Sequence, residues 1–256
     1  MRIAIVTGAS SGLGREFVRQ ISEREKSDEI WIIARRENRL QKIAEECPLP
    51  VRSLPLDLTK DSAFDSLKAL LEEEQPDVRL LINAAGFGKM GNYTEVSVQD
   101  SNDMLDLNCR ALMNMTLTVL PYMQKGARIL EICSSSAFQP LPALNVYSAT
   151  KAFVLNYSRA LRWELFGKGI HVTAVCPYWI RDTEFIGIAK DSRNPRAIRH
   201  FPLASHAASI AGIALRDSKW NLPVSTPGIV SFLQRLLSKF IPRELIIACW
   251  EGLRRI

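Results

Sequence analysis

The chain has 256 residues, with 33 Lys or Arg against 27 Asp or Glu, a net charge of +6, and 47% hydrophobic residues. That length and apolar content exclude a mini-protein that needs metal or disulfide staples, and they suit one large α/β or barrel domain spanning residues 1–256. The charge is uneven. From Gly187 onward 11 basic residues stand against 4 acidic ones, an excess of +7, while the residues before it hold 22 basic and 23 acidic. Such an excess fits an acidic partner, a membrane surface or an anionic ligand, and charge alone does not choose among them.

The first predicted strand, Ile3–Thr7, is too short and too quickly interrupted to be a signal peptide. It runs into Thr7-Gly8-Ala9-Ser10-Ser11-Gly12-Leu13-Gly14, after which the pattern becomes helical over Leu13–Arg24. Glycines let a backbone turn sharply and approach a pyrophosphate, and a helix start offers free N–H groups with a partial positive charge. The strand-to-helix setting points to phosphate binding more than to a plain turn. The spacing differs from Gly-x-Gly-x-x-Gly, and the Lys-Ser/Thr ending of a P-loop is absent. A second strand, Glu29–Ala34, ends at Arg35-Arg36, about 20 residues beyond the loop, where a reader of a ribose 2′-hydroxyl would place a carboxylate. Two arginines there suit a 2′-phosphate, so NADP(H) is favoured over NAD(H).

Further along, helix Arg36–Glu46, strand Val51–Leu56, helix Lys60–Glu74, strand Leu80–Asn83, one long helix Gln99–Gln124, strand Ala127–Cys133, helix Asn145–Phe166 and strand His171–Cys176 follow in turn. Ala63, Phe64, Leu67, Leu70 and Leu71 form the stripe that packs a helix on a sheet. Strands alternating with helices predict an α/β chain with a doubly wound parallel sheet in three αβα layers. Within the Asn145 helix, Tyr147 and Lys151 are four residues apart and share a face. An ammonium beside a phenol eases its ionisation, which fits it to exchange a proton with an alcohol oxygen.

After Cys176 the periodicity loosens, and residues 177–205 read as a long loop or a short helical lid over the substrate. From Pro227 to the C-terminus two amphipathic helices are expected, one showing Ile229, Phe232, Leu233, Leu236, Leu237 and Phe240 on a single face. They could pack on the body, on a second subunit, or on anionic lipid as a cationic amphipathic surface. The five cysteines are odd in number, widely spaced and set in apolar runs, which points to free thiols in a reducing, cytoplasmic setting. No run reaches the 18 to 20 or so apolar residues of a membrane span, and neither a metal site nor a nucleic-acid motif is expected.

Taken together these motifs resemble the short-chain dehydrogenase/reductase family, nearest its hydroxysteroid and ketoacyl reductase branch. The matches are Thr7 to Gly14, Asn83-Ala84-Ala85-Gly86, Asn108, Ser134 and Tyr147 with Lys151, in family order over residues 2–185. The resemblance implies a Rossmann-type fold and a catalytic set of Asn108, Ser134, Tyr147 and Lys151. Ser134 is chosen from Ser134-Ser135-Ser136 because the family's serine precedes its tyrosine by 13 positions, with Ser136 the alternative. Tyr147 would act as general acid or base, Ser134 would hold the substrate oxygen, Lys151 would bind ribose hydroxyls, and Asn108 would order a water. Cofactor contacts would come from Gly8, Ser10, Ser11, Gly12, Leu13 and Gly14, from Arg35 and Arg36, and from Asp57 and Leu58. Asn83, Ala84 and Gly86 would add to them, as would Tyr147, Lys151, Pro177 and Thr183. Two departures stand out: Ala84 replaces the family's second Asn, and Tyr178 follows Pro177 where the family has Gly.

The expected substrate contacts are Ser134, Phe138, Leu144, Tyr178, Trp179 and Phe185, a lining suited to an apolar carbonyl or alcohol such as a steroid or fatty-acyl chain. The expected function is thus an NADP(H)-dependent oxidoreductase interconverting an apolar secondary alcohol and a ketone, as a homodimer or homotetramer, with a possible peripheral membrane contact through its basic C-terminal region. The rival is a non-catalytic dinucleotide sensor of the same fold.

Overall fold

The computed structural model describes residues 1–254; Arg255 and Ile256, the end of the predicted tail, lie outside the described residues. Seven parallel strands form one sheet in the order β3-β2-β1-β4-β5-β6-β7. They are β1 (Arg2–Thr7), β2 (Glu29–Ala34), β3 (Val51–Pro55), β4 (Asp77–Asn83), β5 (Arg128–Ile132), β6 (His171–Val175) and β7 (Val224–Ser225). The order reverses between β1 and β4, so a crevice opens beyond their carboxyl ends, at Thr7 and Asn83.

Alternation along each strand supplies two cores. Ile3 and Ile5 of β1 face Leu67 and Leu71 of α3 (Asp61–Glu74), Val119 of α5 (Leu112–Val119) and Leu161 of α6 (Asn145–Glu164). Ala4 and Val6 face Phe17 and Ile21 of α1 (Gly12–Arg24), Leu40 of α2 (Glu37–Glu46) and Leu215 of α8 (Ala207–Lys219). Each such buried Leu, Ile or Phe contributes roughly 1.5–3 kcal/mol of burial, which gives the predicted three-layer arrangement.

The long helix predicted over Gln99–Gln124 is in fact interrupted. It starts as α4 (Val98–Leu105), where the Ser97 hydroxyl caps Asp100 N–H at 2.9 Å, and passes through a π-helical turn, Asp106–Ala111, into α5. The wider turn shifts the register of the side chains after it, and Asn108 sits in it. A further helix, α8, and the two-residue β7 have no counterpart in the sequence reading. The α8 segment is rich in Ala and Gly, and Gly212 lets it approach α1 so closely that an added Cβ would lie 3.2 Å from Gln20 Oε1. Small residues that pack tightly leave no apolar stripe to read.

Residues 177–205 are mostly irregular, apart from α7 (Phe185–Lys190). Two amphipathic helices do form at the C-terminal end, α9 (Ile229–Phe240) and α10 (Arg243–Leu253). The face of α9 is inverted: fully buried Ser231 donates to Cys176 O and Arg235 Nη1 donates to Val224 O at 3.3 Å, while Ile229, Phe232, Leu233, Leu236, Leu237 and Phe240 point outward. Phe240 is 77% exposed.

Candidate active site

A cavity of about 610 Å³ runs from the glycine loop, across the ends of β1 and β4, to Tyr147. Its floor depends on two glycines. A Cβ on Gly8, whose φ is +66°, would lie 2.7 Å from Ala85 N, and one on Gly14 would lie 2.3 Å from Gly8 O. The Thr7 hydroxyl accepts from Ala85 N–H at 3.0 Å, so the turn keeps its form although Ala84 lacks an amide. Ser11 occupies the N-cap of α1, yet its hydroxyl makes no cap and accepts from Arg36 Nη2 at 2.8 Å. The first N–H groups of α1 remain free to meet an anion, and the first turn contains no acidic residue.

Arg36 extends over the loop: its Nε and Nη2 reach Ser10 Oγ at 3.2 and 3.0 Å. The lip of the crevice thus gathers Arg35, Arg36, Ser10 and Ser11 with no carboxylate from the β2 end, a donor set suited to a phosphate. Asp57 and Leu58 also line this end. Burial would raise the Asp57 carboxyl, but hydrogen bonds from Thr59 N–H at 3.1 Å and Thr59 Oγ1 at 2.8 Å hold it below its ordinary value.

Tyr147 and Lys151 project from the first turns of α6 toward the end of β5, and both are buried. Ser134 starts the next turn, its Oγ accepting Ser136 N–H at 3.1 Å. Burial pushes the Tyr147 phenol well above its usual range, with the Ser134 hydroxyl opposing the shift. Lys151 does not relieve it in this arrangement: Nζ donates to Ile132 O at 2.8 Å and stands 5.8 Å from the Tyr147 ring centre. Burial lowers the Lys151 ammonium itself. The four-residue spacing therefore brings the pair together, but desolvation outweighs the expected easing of the phenol. Ser136, the alternative serine, lines the same cavity with its hydroxyl buried and unpaired.

Two predicted residues have their side-chain amides engaged by the protein. Asn108 Nδ2 donates to Phe87 O at 2.8 Å and Thr150 Oγ1 at 3.1 Å, while Oδ1 accepts Phe87 N–H at 3.0 Å. Asn83 is absent from the cavity wall: its Nδ2 donates to Thr116 Oγ1 at 2.9 Å and Glu131 Oε2 at 3.0 Å, fastening β4 to β5 and α5. Glu131 is wholly buried, and burial pushes its carboxyl up to about 7.

At the far end, Leu144, Tyr178, Trp179 and Phe185 line the cavity as expected, with Pro177 and Thr183 beside them. Tyr178, which lines the cavity, stands edge-on to Trp179 with ring centres 6.3 Å apart. Phe138 does not reach the cavity; it faces a separate groove beside Pro140 and Ile247. The sequence reading missed Gln234 of α9 and Trp250 of α10, which close the cavity from the C-terminal helices. Trp250 is fixed by its Nε1 donating to Pro142 O at 2.9 Å. It also missed Gly88, where a Cβ would lie 2.8 Å from Tyr147 Cδ2, and Glu184, which also lines the cavity and pairs with Arg36 and Arg39.

A doubly wound parallel sheet, a glycine loop opening a helix at the topological switch point, and a buried Ser, Tyr and Lys beyond it define a dinucleotide-binding α/β protein of oxidoreductase type. The chain belongs to the short chain dehydrogenase family, whose model matches residues 2–193. It is 34% identical over 189 residues to the NADP-dependent 3-hydroxy acid dehydrogenase YdfG of Salmonella typhi, covering 73% of this chain and 75% of that one. It is 35% identical over 189 residues to sulfoacetaldehyde reductase 2 of Chromohalobacter salexigens, covering 72% and 74%. Among solved structures, a short-chain dehydrogenase from Sphingobium yanoikuyae in complex with NADPH is similar with a TM-score of 0.78 and 26% identity, covering 95% of this chain and 97% of that chain.

Proposed function

We propose that the protein is an NADP(H)-dependent oxidoreductase that interconverts an apolar secondary alcohol, steroid-like or fatty-acyl-like, with its ketone, using Tyr147 as proton donor in reduction and acceptor in oxidation. The observation that carries this reading is the single cavity joining the Arg36 lip, the glycine loop and the Ser134, Tyr147, Lys151 group to an aromatic end. NADP(H) fits the residues present: close-approach glycines, an uncapped helix start, and guanidinium groups where a carboxylate would repel a phosphate. The relatives named for NADP or bound to NADPH support the same choice.

The cofactor supplies the hydride when bound. Ser134 Oγ, fixed by Ser136 N–H, holds the substrate oxygen next to the Tyr147 phenol. Tyr147 passes its proton to that oxygen, and its high pKa keeps the proton in place until then. Lys151 holds ribose hydroxyls, and Asn108 keeps the Gly86-Phe87 backbone under them. Residues 1–256 act as one catalytic unit, with 177–205 as the lid that positions Tyr178, Trp179 and Phe185. The test is a screen of steroid, fatty-acyl and small ketones with NADPH, followed at the nicotinamide absorbance. Turnover of bulky apolar ketones is expected; reduction confined to small polar oxo acids or sulfonates would contradict the substrate class.

The inverted α9 favours one addition. No helix among the described residues is long and apolar enough to cross a membrane. Yet α9 and α10 turn Phe232, Leu236, Phe240, Leu245 and Leu253 outward, next to exposed Lys239 and Arg243, while their inner sides bear Gln234 and Trp250 of the cavity wall. We infer a peripheral contact with anionic lipid, by which an apolar substrate reaches the cavity; outward Leu105, Leu117 and Phe153 on α4, α5 and α6 suit a second copy in a homo-oligomer. The five unpaired cysteines support a cytoplasmic setting. Co-sedimentation with phosphatidylserine vesicles, lost in Phe232→Ser with Phe240→Ser, is expected. No sedimentation, with α9 covered by self-association in light scattering, would contradict the lipid contact.

A further inference from the structure

We propose that Glu184 is a cofactor-specificity residue, an internal stand-in for the 2′-phosphate that latches the lid onto the arginines at the end of β2. Glu184 stands between Thr183 and Phe185. Its Oε2 accepts from Arg36 Nη1 at 2.9 Å and its Oε1 from Arg39 Nη1 at 2.6 Å. These two guanidinium groups hold its carboxyl down to about 2. Arg36 meanwhile rests on the Ser10 and Ser11 hydroxyls of the glycine loop. One carboxylate from the lid thus joins two arginines at the end of β2, one of which is itself seated on two hydroxyls of the glycine loop.

The chain on either side of Glu184 is held too. A Cβ on Gly12 would lie 3.2 Å from Thr183 Cβ, so the lid lies directly across the loop. The Phe185 ring centre is 5.4 Å from that of Tyr147. The latch therefore ties the phosphate end of the crevice to the wall of the catalytic end through three consecutive residues.

A phosphate monoester carries up to two negative charges and three acceptor oxygens, and it outcompetes a single carboxylate for paired guanidinium groups. A cofactor bearing the 2′-phosphate displaces Glu184 and releases the lid; a cofactor without it leaves the latch shut. Arg39, which the sequence reading did not single out, becomes a second phosphate ligand. The apparent affinity of the phosphorylated cofactor is lowered by the fraction of molecules in which the latch is closed. Selectivity then depends on the balance between Glu184 and the phosphate as well as on the number of arginines.

The inference rests on the NADP(H) reading, and NADH separates the two. Fluorescence titration of wild type and Glu184→Gln with NADPH and NADH gives four dissociation constants. NADPH is expected to bind Glu184→Gln about three- to tenfold tighter than wild type, a range that fits two exposed ion pairs, while NADH changes less than about twofold. In wild type, saturating NADPH is expected to speed tryptic cleavage at exposed Arg196 and Arg199 relative to saturating NADH, and Glu184→Gln to be cleaved fast with either. Arg39→Ala, with unchanged melting, is expected to weaken NADPH alone. Weaker or unchanged NADPH binding in Glu184→Gln would overturn the latch and make Glu184 a clasp or a bystander. Equal wild-type affinity for NADPH and NADH would overturn the cofactor reading with it.

Discussion

Asn108 grips Phe87 by both ends of its peptide backbone: Oδ1 takes the Phe87 N–H at 3.0 Å and Nδ2 gives to its carbonyl at 2.8 Å. The π-helical turn aims it there, and Gly86 leaves the room, since a Cβ would lie 2.8 Å from Asn108 Oδ1 and 3.5 Å from Lys151 Nζ. Replacing Asn108 by Ala leaves two backbone groups without partners, at a cost of about 1–3 kcal/mol each. Asn108→Ala is expected to melt lower and to lose turnover about tenfold or more, mainly in kcat with little change in KM. A change confined to melting temperature would make Asn108 structural only.

The buried Glu131 gives stability a pH dependence of known sign. Its folded pKa is about 7, above the ordinary 4.5, so the folded state binds the proton more tightly than the unfolded chain. The stability this contributes is complete below the unfolded value and is lost as pH rises through about 7. Gln at this position accepts from Asn83 Nδ2 and donates to Thr116 Oγ1, whose own hydrogen turns to Leu112 O, 2.9 Å away. Glu131→Gln is expected to gain on wild type by on the order of 2 kcal/mol between pH 5 and pH 8. Urea titrations at both values check it, and a parallel shift at the two would remove Glu131 as the cause.

The glycine loop, Arg36 and the Tyr147–Lys151 pair were legible because each is a local pattern: the backbone of one strand-to-helix turn, or two side chains one helical turn apart. The sheet was legible through its alternating apolar runs. What the sequence concealed depends on distant approach. Glu131 looked like an ordinary strand residue until Asn83 and Thr116 closed on it; Gln234 and Trp250 reach the cavity from helices more than 80 residues beyond Tyr147. Sequence periodicity found the apolar stripe of α9 but not its direction, which Ser231 and Arg235 set by bonding inward. Asp57 remains on the cavity edge, with its Oδ1 accepting from Thr59.

Cofactor choice should follow the arginines. With Arg36 seated on Ser10 and Ser11 and Arg35 lining the same lip, wild type is expected to bind NADPH at least about tenfold tighter than NADH, roughly 1.4 kcal/mol. Arg35→Ala with Arg36→Ala should remove most of that difference by weakening NADPH and not NADH, leaving what Arg39 supplies. Paired titrations test it, and a preference left undiminished by both substitutions would place phosphate recognition elsewhere.

Proton transfer turns on the phenol of Tyr147, buried beside Ser134 and Lys151. The most direct measurement is the rate of NADPH oxidation with an accepted ketone by wild type and Tyr147→Phe, beside the NADPH dissociation constant of each. Turnover in Tyr147→Phe is expected to be lower by at least about 10²-fold, with the dissociation constant unchanged within about twofold. Turnover in Tyr147→Phe near the wild-type rate, or folded wild type that binds NADPH and reduces no ketone in the screen, would contradict proton transfer by Tyr147.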